Sequence, residues 1–487
     1  MLSLILIYVL VVCLGFVILQ RARSSRGHVL PPLLPGSLPI IGYTIQVVSA
    51  ARNQFRLLKA VTSGSAETGG ITTTTFGTER YYFITDPQDA VTAANSCLQR
   101  HYAFDFCKPW LGDGLLTTSA ETWKSHRKLL SPAFSLPVIH GLLEVFNSQS
   151  RKLLEEVAPH DGKGPFDHDV YLTKNALETL CVGTFGINII DDEKFTQKYI
   201  KSLYEIIPMV TRKFVEVWSQ SDFLYKLSGL KEKEDQLLDT LHSMTDKVLQ
   251  EKKLARKGKE IKKEVTGIEY RPFLDLLLDL SENGDLSDQY IREETQTIIA
   301  SGFETTSNQL TSTLVLLGAH PEVQEKMYEE LIDVLQDRDV EKEDLNKLVY
   351  TNAVILESLR LFPTVPCLLR CVEKDVKLKN YTMRAGSYCS ISPLVVNVNS
   401  PWKAETTHFD PEKWLNGEYK NNSEFAGFGL GKRGCIGKTY AMTMMKVVLS
   451  HFIRRYRVQA DMSQVRVKFE FLLKPVSGHE IRIQRRT

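Results

Sequence analysis

The chain has no CxxC pair and no dense cysteine cluster; its eight cysteines, at positions 13, 97, 107, 181, 367, 371, 389 and 435, are scattered along 487 residues. That spacing excludes a disulfide-stapled scaffold and fits a reducing compartment. Cys367 and Cys371 have no histidine at metal-ligand spacing, which argues against a zinc site there. Excess charge is lacking too. The formal net charge is +2, and the one basic stretch, residues 247–263, is interrupted by glutamates. It reads as a solvated helix-to-loop segment, with contact to a membrane surface as the alternative, and nothing points to nucleic acid as a partner. No GxGxxG follows a strand near the start of the body, so no dinucleotide or flavin site is visible. Internal repeats and low-complexity tracts are missing as well.

Charge is also absent from residues 2–20, LSLILIYVLVVCLGFVILQ. That length matches the roughly 20 apolar residues a helix needs to cross a bilayer. A cleaved signal peptide would place its basic residues first, whereas Arg21, Arg23 and Arg26 come after the apolar run. The expected arrangement is an uncleaved anchor, 1–20, whose arginine-bearing end stays in the cytosol. Four prolines, at 31, 32, 35 and 39, then stiffen a basic and proline-rich linker, 21–42, that leads to a body of 43–487.

The body reads as mainly α with small β-sheets (α+β). ITTTTFGTERYYFITDP predicts two strands turning at Gly77, short strands recur around residues 369–394, and residues 465–483 predict a hairpin around Ser477 and Gly478. Most segments from residue 121 to 456 carry helical periodicity. Within one of these helices, IIASGFETTSNQL places Gly302, Glu304, Thr305 and Thr306 in apolar surroundings. Thr hydroxyls bonding back to the preceding turn account for that pattern as readily as a functional role does. Glu357 and Arg360, at i,i+3, share one helix face, as do Trp123 and Arg127 at i,i+4.

The sharpest feature is FGLGKRGCIG, residues 428–437, in which glycines surround Cys435 just ahead of an amphipathic helix starting near Lys438. Helix-start N–H groups and the helix dipole favour a thiolate, and a thiolate can ligate iron. A buried, inert cysteine in a glycine-rich turn is the plain alternative.

This segment resembles the haem-binding loop of the cytochrome P-450 superfamily, F-x-x-G-x-R-x-C-x-G, at every fixed position: Phe428, Gly431, Arg433, Cys435 and Gly437. Ordinary residue usage gives on the order of 10⁻⁴ chance matches in such a chain. The resemblance implies the cytochrome P-450 fold, haem b (iron protoporphyrin IX) as cofactor and Cys435 as the iron ligand. It implies that Glu304 and Thr305 relay protons, and that Trp123, Arg127, Arg370 and Arg433 bind the haem propionates. Glu357 and Arg360 correspond to a buried lock around the core. Its usual third member, an arginine, is replaced by Lys413, which cannot offer a two-pronged fork. Ser301 occupies a position where the fatty-acid ω-hydroxylase branch often has a glutamate esterified to haem, so the haem is expected to be non-covalent. The branch resembled most is that of microsomal fatty-acid ω-hydroxylases and their insect relatives.

The implied reaction is insertion of one oxygen atom from O2 into a lipophilic substrate (fatty acid, terpenoid, hormone or xenobiotic) at the endoplasmic reticulum membrane. Electrons come from an NADPH-dependent reductase, with cytochrome b5 as a further donor, and Lys124, Lys128, Lys432 and Lys438 are candidate docking residues. The rivals are a haem-thiolate isomerase or dehydratase needing no external electrons, and a non-catalytic haem-binding protein. The apolar stretches around residues 101–110 and 364–369 are the expected substrate contacts.

Overall fold

A computed structural model describes residues 30–38, 42–49, 54–187, 193–257, 272–282, 286–399, 408–416 and 424–486. The apolar segment 2–20 and its flanking arginines lie outside them; among the described residues no helix is long and apolar enough to cross a membrane. The chain divides into two compact units: one of the residues up to Tyr102 with Pro366–Ala404 and Asn422–Gly434, the other of Ala103–Val365, Glu405–Asn421 and Cys435–Thr487.

The first unit is built on a sheet. The β-branched run of β1 (Ile71–Phe76) pairs antiparallel with β2 (Glu79–Ile84), Ile71 opposite Ile84, and the predicted turn forms at Gly77, whose φ is +58°. Next come β3 (Leu368–Val372), a two-residue ribbon of β4 (Val376–Lys377) and β5 (Thr382–Met383), and β6 (Ser387–Ile391). The main sheet runs β1-β2-β6-β3, and Cys389 of β6 lies between Tyr82 on one side and Arg370 on the other. Helix α1 (Pro87–Ser96) starts under the cap of Asp86, which accepts the Asp89 N–H at 2.9 Å, with Pro87 in the first turn. Its Ala90, Ala93 and Ala94 join Tyr82, Ile84, Val372, Cys389 and Leu430 in one apolar core. Part of the expected linker belongs to this unit: Pro32 and Leu34 bond to both backbone groups of Thr73, and Leu34 is buried with Tyr43 and Val61.

The second unit is helical. The helices that matter below are α2 (Ala120–Leu130), α3 (Leu143–Val157), α4 (Asp169–Leu180), α5 (Glu193–Val215), α6 (Asp288–Gly302), α7 (Glu304–Ala319), α8 (Pro321–Leu335), α9 (Val349–Leu361) and α10 (Lys438–Arg455). Helix α7 packs on α4, α6, α8, α9 and α10, and α10 packs on α3 and α9. Although α7 is buried almost throughout, much of it is polar, and its side chains bond to neighbours: Gln309 and Thr313 to Ser358 of α9, Thr311 to Asp169 of α4.

Two expectations are corrected here. The segment IIASGFETTSNQL is not one helix: α6 ends at Gly302 and α7 begins at Glu304, with Phe303 fully buried at the break. The hydroxyls of Thr305 and Thr306 donate to the carbonyls of Ser301 and Gly302, at 2.8 and 3.1 Å. Those are the carbonyls an unbroken helix offers to the N–H groups four residues on, and such back-bonding bends helices. The terminal hairpin does not turn at Gly478. Strand β8 (Arg466–Glu470) pairs with β9 (Leu472–Ser477) around Phe471, whose φ is +60°, and β10 (Arg482–Arg485) pairs instead with β7 (Tyr456–Gln459).

Candidate active site

In the helical unit, Cys435 lies three residues before the first residue of α10, and Gly437 occupies the cap position without a side-chain cap. Of the seven described cysteines, Cys435 alone is solvent-exposed. Desolvation of the sulfur by neighbouring atoms nonetheless pushes the thiol pKa up. The Gly437 N–H, the Arg127 guanidinium and Lys438 pull it down, without overcoming the burial. Those three groups favour the charged sulfur. A bound metal cation deprotonates such a sulfur outright.

The same coupling shows that Arg127 and Cys435 are brought together. Burial lowers the pKa of Arg127 and Cys435 raises it. Helix α2, which carries both Trp123 and Arg127, starts under Ser119, whose hydroxyl accepts the Thr122 N–H at 3.2 Å. Trp123 is buried and Arg127 half-buried, while Lys124 and Lys128 point to solvent.

Glu304, the first residue of α7, is buried, and burial is the main cause of a carboxyl pKa pushed up to about 7; Lys474 lowers it and Asp169 raises it further. Its alcohol neighbour Thr305 is half-buried and donates to the Ser301 carbonyl. Acid and alcohol, adjacent in sequence, thus engage different partners. Ser301 donates its own hydroxyl to the Thr297 carbonyl at 2.6 Å.

Glu357 and Arg360 face each other on α9 in a two-pronged pair: Nε and Nη2 of Arg360 donate to the two carboxylate oxygens, each at 2.7 Å. Both side chains are buried, at 0% and 2% exposure. Arg360 also donates to the His408 carbonyl at 3.1 Å. Glu357 takes two further hydrogen bonds, from the Asp410 N–H at 3.0 Å and the Trp414 indole at 2.9 Å. Lys413 does not replace the family's arginine on that carboxylate; its ammonium lies 3.8 Å from Asp410. The third side chain of the cluster, after Glu357 and Arg360, is Trp414, one residue beyond Lys413 at the end of a 3-10 turn over Pro411–Trp414.

In the sheet unit, Arg370 on β3 is 2% exposed. Its guanidinium donates to the Leu369 carbonyl at 2.8 Å, while its buried Nε has no acceptor among the described residues. Burial lowers its pKa, and Cys389, Cys97, Cys367 and Cys371 are the neighbouring groups that raise it. Arg433 is buried in a 3-10 turn and donates from Nε to the Leu98 carbonyl at 3.0 Å. Phe428 is half-buried. Gly431 is required twice over. Its φ is +62°, and a Cβ there would meet Asn95 Oδ1 at 2.7 Å and the Ala94 carbonyl carbon at 3.0 Å.

Sequence reasoning missed Trp414, whose role depends on a turn geometry with no motif of its own. It also missed Lys474 and Asp169, which face Glu304 from distant parts of the chain.

The profile of the cytochrome P450 family matches residues 31–482. Cytochrome P450 4g15 of Drosophila melanogaster is 28% identical over 96% of this chain and 94% of its own length. Cytochrome P450 4c3 of the same species is 29% identical over 98% and 94%. Human cytochrome P450 4V2 is 30% identical over 82% and 78%. The chain is a member of the cytochrome P450 family of haem-thiolate monooxygenases.

Proposed function

We propose that this protein inserts one oxygen atom of O2 into a lipophilic substrate at the endoplasmic reticulum membrane, with electrons supplied from NADPH by a separate reductase. The observation that carries the reading is Cys435, the exposed thiol of a complete haem-loop motif, lying within electrostatic reach of Arg127. The residues present fit haem. Arg370 is a buried cation whose Nε finds no acceptor among the described residues, which suits a propionate carboxylate, and the family resemblance assigns Trp123, Arg127 and Arg433 as further donors. Phe428, Gly431 and Gly437 shape the loop, Cys435 would hold the iron, and haem bound there would supply the activation of dioxygen.

The chain's own residues do the rest. Glu304, whose carboxyl titrates near neutrality, holds and releases protons in the working pH range, and Thr305 provides the adjacent hydroxyl. Haem is held non-covalently, because a Ser301 hydroxyl committed to the Thr297 carbonyl offers no carboxyl for an ester. Apolar side chains support a lipophilic substrate, among them Phe104 packed edge-to-face on Phe471 at 6.0 Å. An exposed apolar run, Val217, Trp218, Phe223, Leu224 and Leu227, supports membrane contact beside the anchor segment.

Reconstitution with reductase and NADPH against a lipid and terpenoid panel, with products identified by mass spectrometry, tests the reading. Oxygenated products that require both NADPH and reductase are expected. Turnover without either would instead indicate an isomerase or dehydratase, and no turnover a haem carrier. A Cys435→Ala protein that keeps the red-shifted Soret band of the reduced carbon monoxide complex would overturn the ligand assignment.

A further inference from the structure

Glu304 faces a cation from the C-terminal hairpin. The Lys474 ammonium on β9 lies 3.9 Å from Glu304 Oε1, 3.8 Å from Asp169 Oδ2 and 3.5 Å from the centroid of the Tyr204 ring. Two carboxylates and an aromatic face surround one positive charge, an arrangement that holds it in place. The strand itself is tied down: Asn308 of α7, one turn beyond Glu304, donates to the Leu473 carbonyl at 2.7 Å, and the Leu473 N–H bonds to Thr364 at 2.8 Å. The other members are fixed as well. Thr311 donates to Asp169 at 2.8 Å, and the Tyr204 hydroxyl lies 3.1 Å from that of Thr173.

Access to solvent is graded across the cluster. The side chains of Lys474, Asp169 and Glu304 are 25%, 15% and 4% exposed. Water reaches Lys474 and Asp169 and is almost excluded from Glu304. Groups facing Glu304 come from three elements: Lys474 from β9, Asp169 from α4, and Tyr199 from α5, whose phenol senses the Glu304 charge.

We propose that Lys474 is a positioning residue for proton delivery: it fixes the Glu304 carboxylate and, with Asp169, forms the port where that carboxylate exchanges protons with solvent. This rests on Glu304 being the relay acid. The proton that reloads Glu304 comes from bulk water. Lys474 stays charged throughout; burial works against its proton, but Tyr204, Asp169 and Glu304 outweigh it. It acts as a gate and not as a carrier.

The test uses the full-length, haem-loaded protein as wild type, Lys474→Gln, Lys474→Arg, Asp169→Asn and Glu304→Gln. Infrared pH titration follows the protonated-carboxyl band that Glu304→Gln removes. Loss of the cation in Lys474→Gln should move its midpoint up by about one pH unit, and Lys474→Arg should restore it. Asp169→Asn should move it down, and this variant carries the test if Lys474→Gln does not take up haem. Opposite shifts are not what a general loosening of the fold produces. The pH dependence of product formed per NADPH consumed should move in the same two directions. Midpoints unmoved in both variants, with coupling lost in Glu304→Gln, would overturn the role of Lys474 and leave the relay standing. Full coupling in Glu304→Gln would overturn the relay itself, and this inference with it.

Discussion

Trp414→Phe isolates one bond of the buried Glu357 cluster. The substitution keeps an aromatic ring and deletes the 2.9 Å hydrogen bond from the indole to Glu357 Oε2. A hydrogen bond to a charged acceptor contributes about 1.5–3 kcal/mol, and the half-buried indole puts the loss near the lower end. Lys413→Ala removes an ion pair 3.8 Å long, with side chains 19% and 31% exposed. Partly exposed pairs contribute about 0–1 kcal/mol, so loss of this ion pair itself should cost little. Glu357→Gln strips Arg360 of its anion in a site where both are buried. Removing one partner of a buried pair costs about 3–5 kcal/mol. The expected order of destabilisation is therefore Glu357→Gln, then Trp414→Phe, then Lys413→Ala. The assay is thermal melting of the haem-loaded protein, followed together by Soret absorbance and circular dichroism. Unfolding entropy of about 2 cal/mol/K per residue turns a loss of about 1.5 kcal/mol into a midpoint about 2 °C lower. Staged unfolding of so long a chain would enlarge the shift without changing the order. A Trp414→Phe protein as stable as wild type would refute the assignment of the indole as the third arm.

Acidified organic solvent should extract the pigment completely, since Ser301 has no carboxyl to esterify; haem retained on the polypeptide would contradict the non-covalent reading. The Glu304 carboxyl, ordinarily near 4.5 and pushed up to about 7 in the fold, favours the folded state below its ordinary value, and that contribution is lost as pH rises through about 7. Glu304→Gln should flatten this part of the stability–pH curve, by at most about 3 kcal/mol between pH 4.5 and 8; identical curves for the two proteins would argue against a sealed Glu304. Reversing the charge of the exposed Lys124 and Lys128 should slow reduction by an NADPH-dependent reductase and weaken its salt dependence. Unchanged stopped-flow reduction would remove that face from consideration.

Local spacing made much of this protein legible in its sequence. The haem loop, the Glu357–Arg360 pair and the Trp123–Arg127 pair each lie within a few residues, so helix or turn geometry alone defines what they share. The Thr-rich strand and the turn at Gly77 were readable for the same reason. Where tertiary contact decides, the sequence was silent. Phe471 takes a left-handed backbone that favours glycine, and the pairing of β8 with β9 and its contact with Phe104 offset a cost of about 1–3 kcal/mol. Gly478, the better turn former, instead ends β9 ahead of the strand that joins β7. The break at Phe303 was hidden because hydroxyl back-bonding is compatible with helical periodicity.

The C-terminal strands also have a genetic consequence. Residues 472–486 supply the cation opposite Glu304, a strand paired with β7, and Arg486, which pairs with Glu325 at 2.9 Å and covers the Tyr328 ring. A premature stop codon at positions 471–474 would therefore leave Cys435 and its whole motif translated while removing Lys474, the strand paired with β7 and Arg486. Such late truncations should behave as null alleles, and an intact haem-loop codon is no guide to whether a transcript encodes a working enzyme.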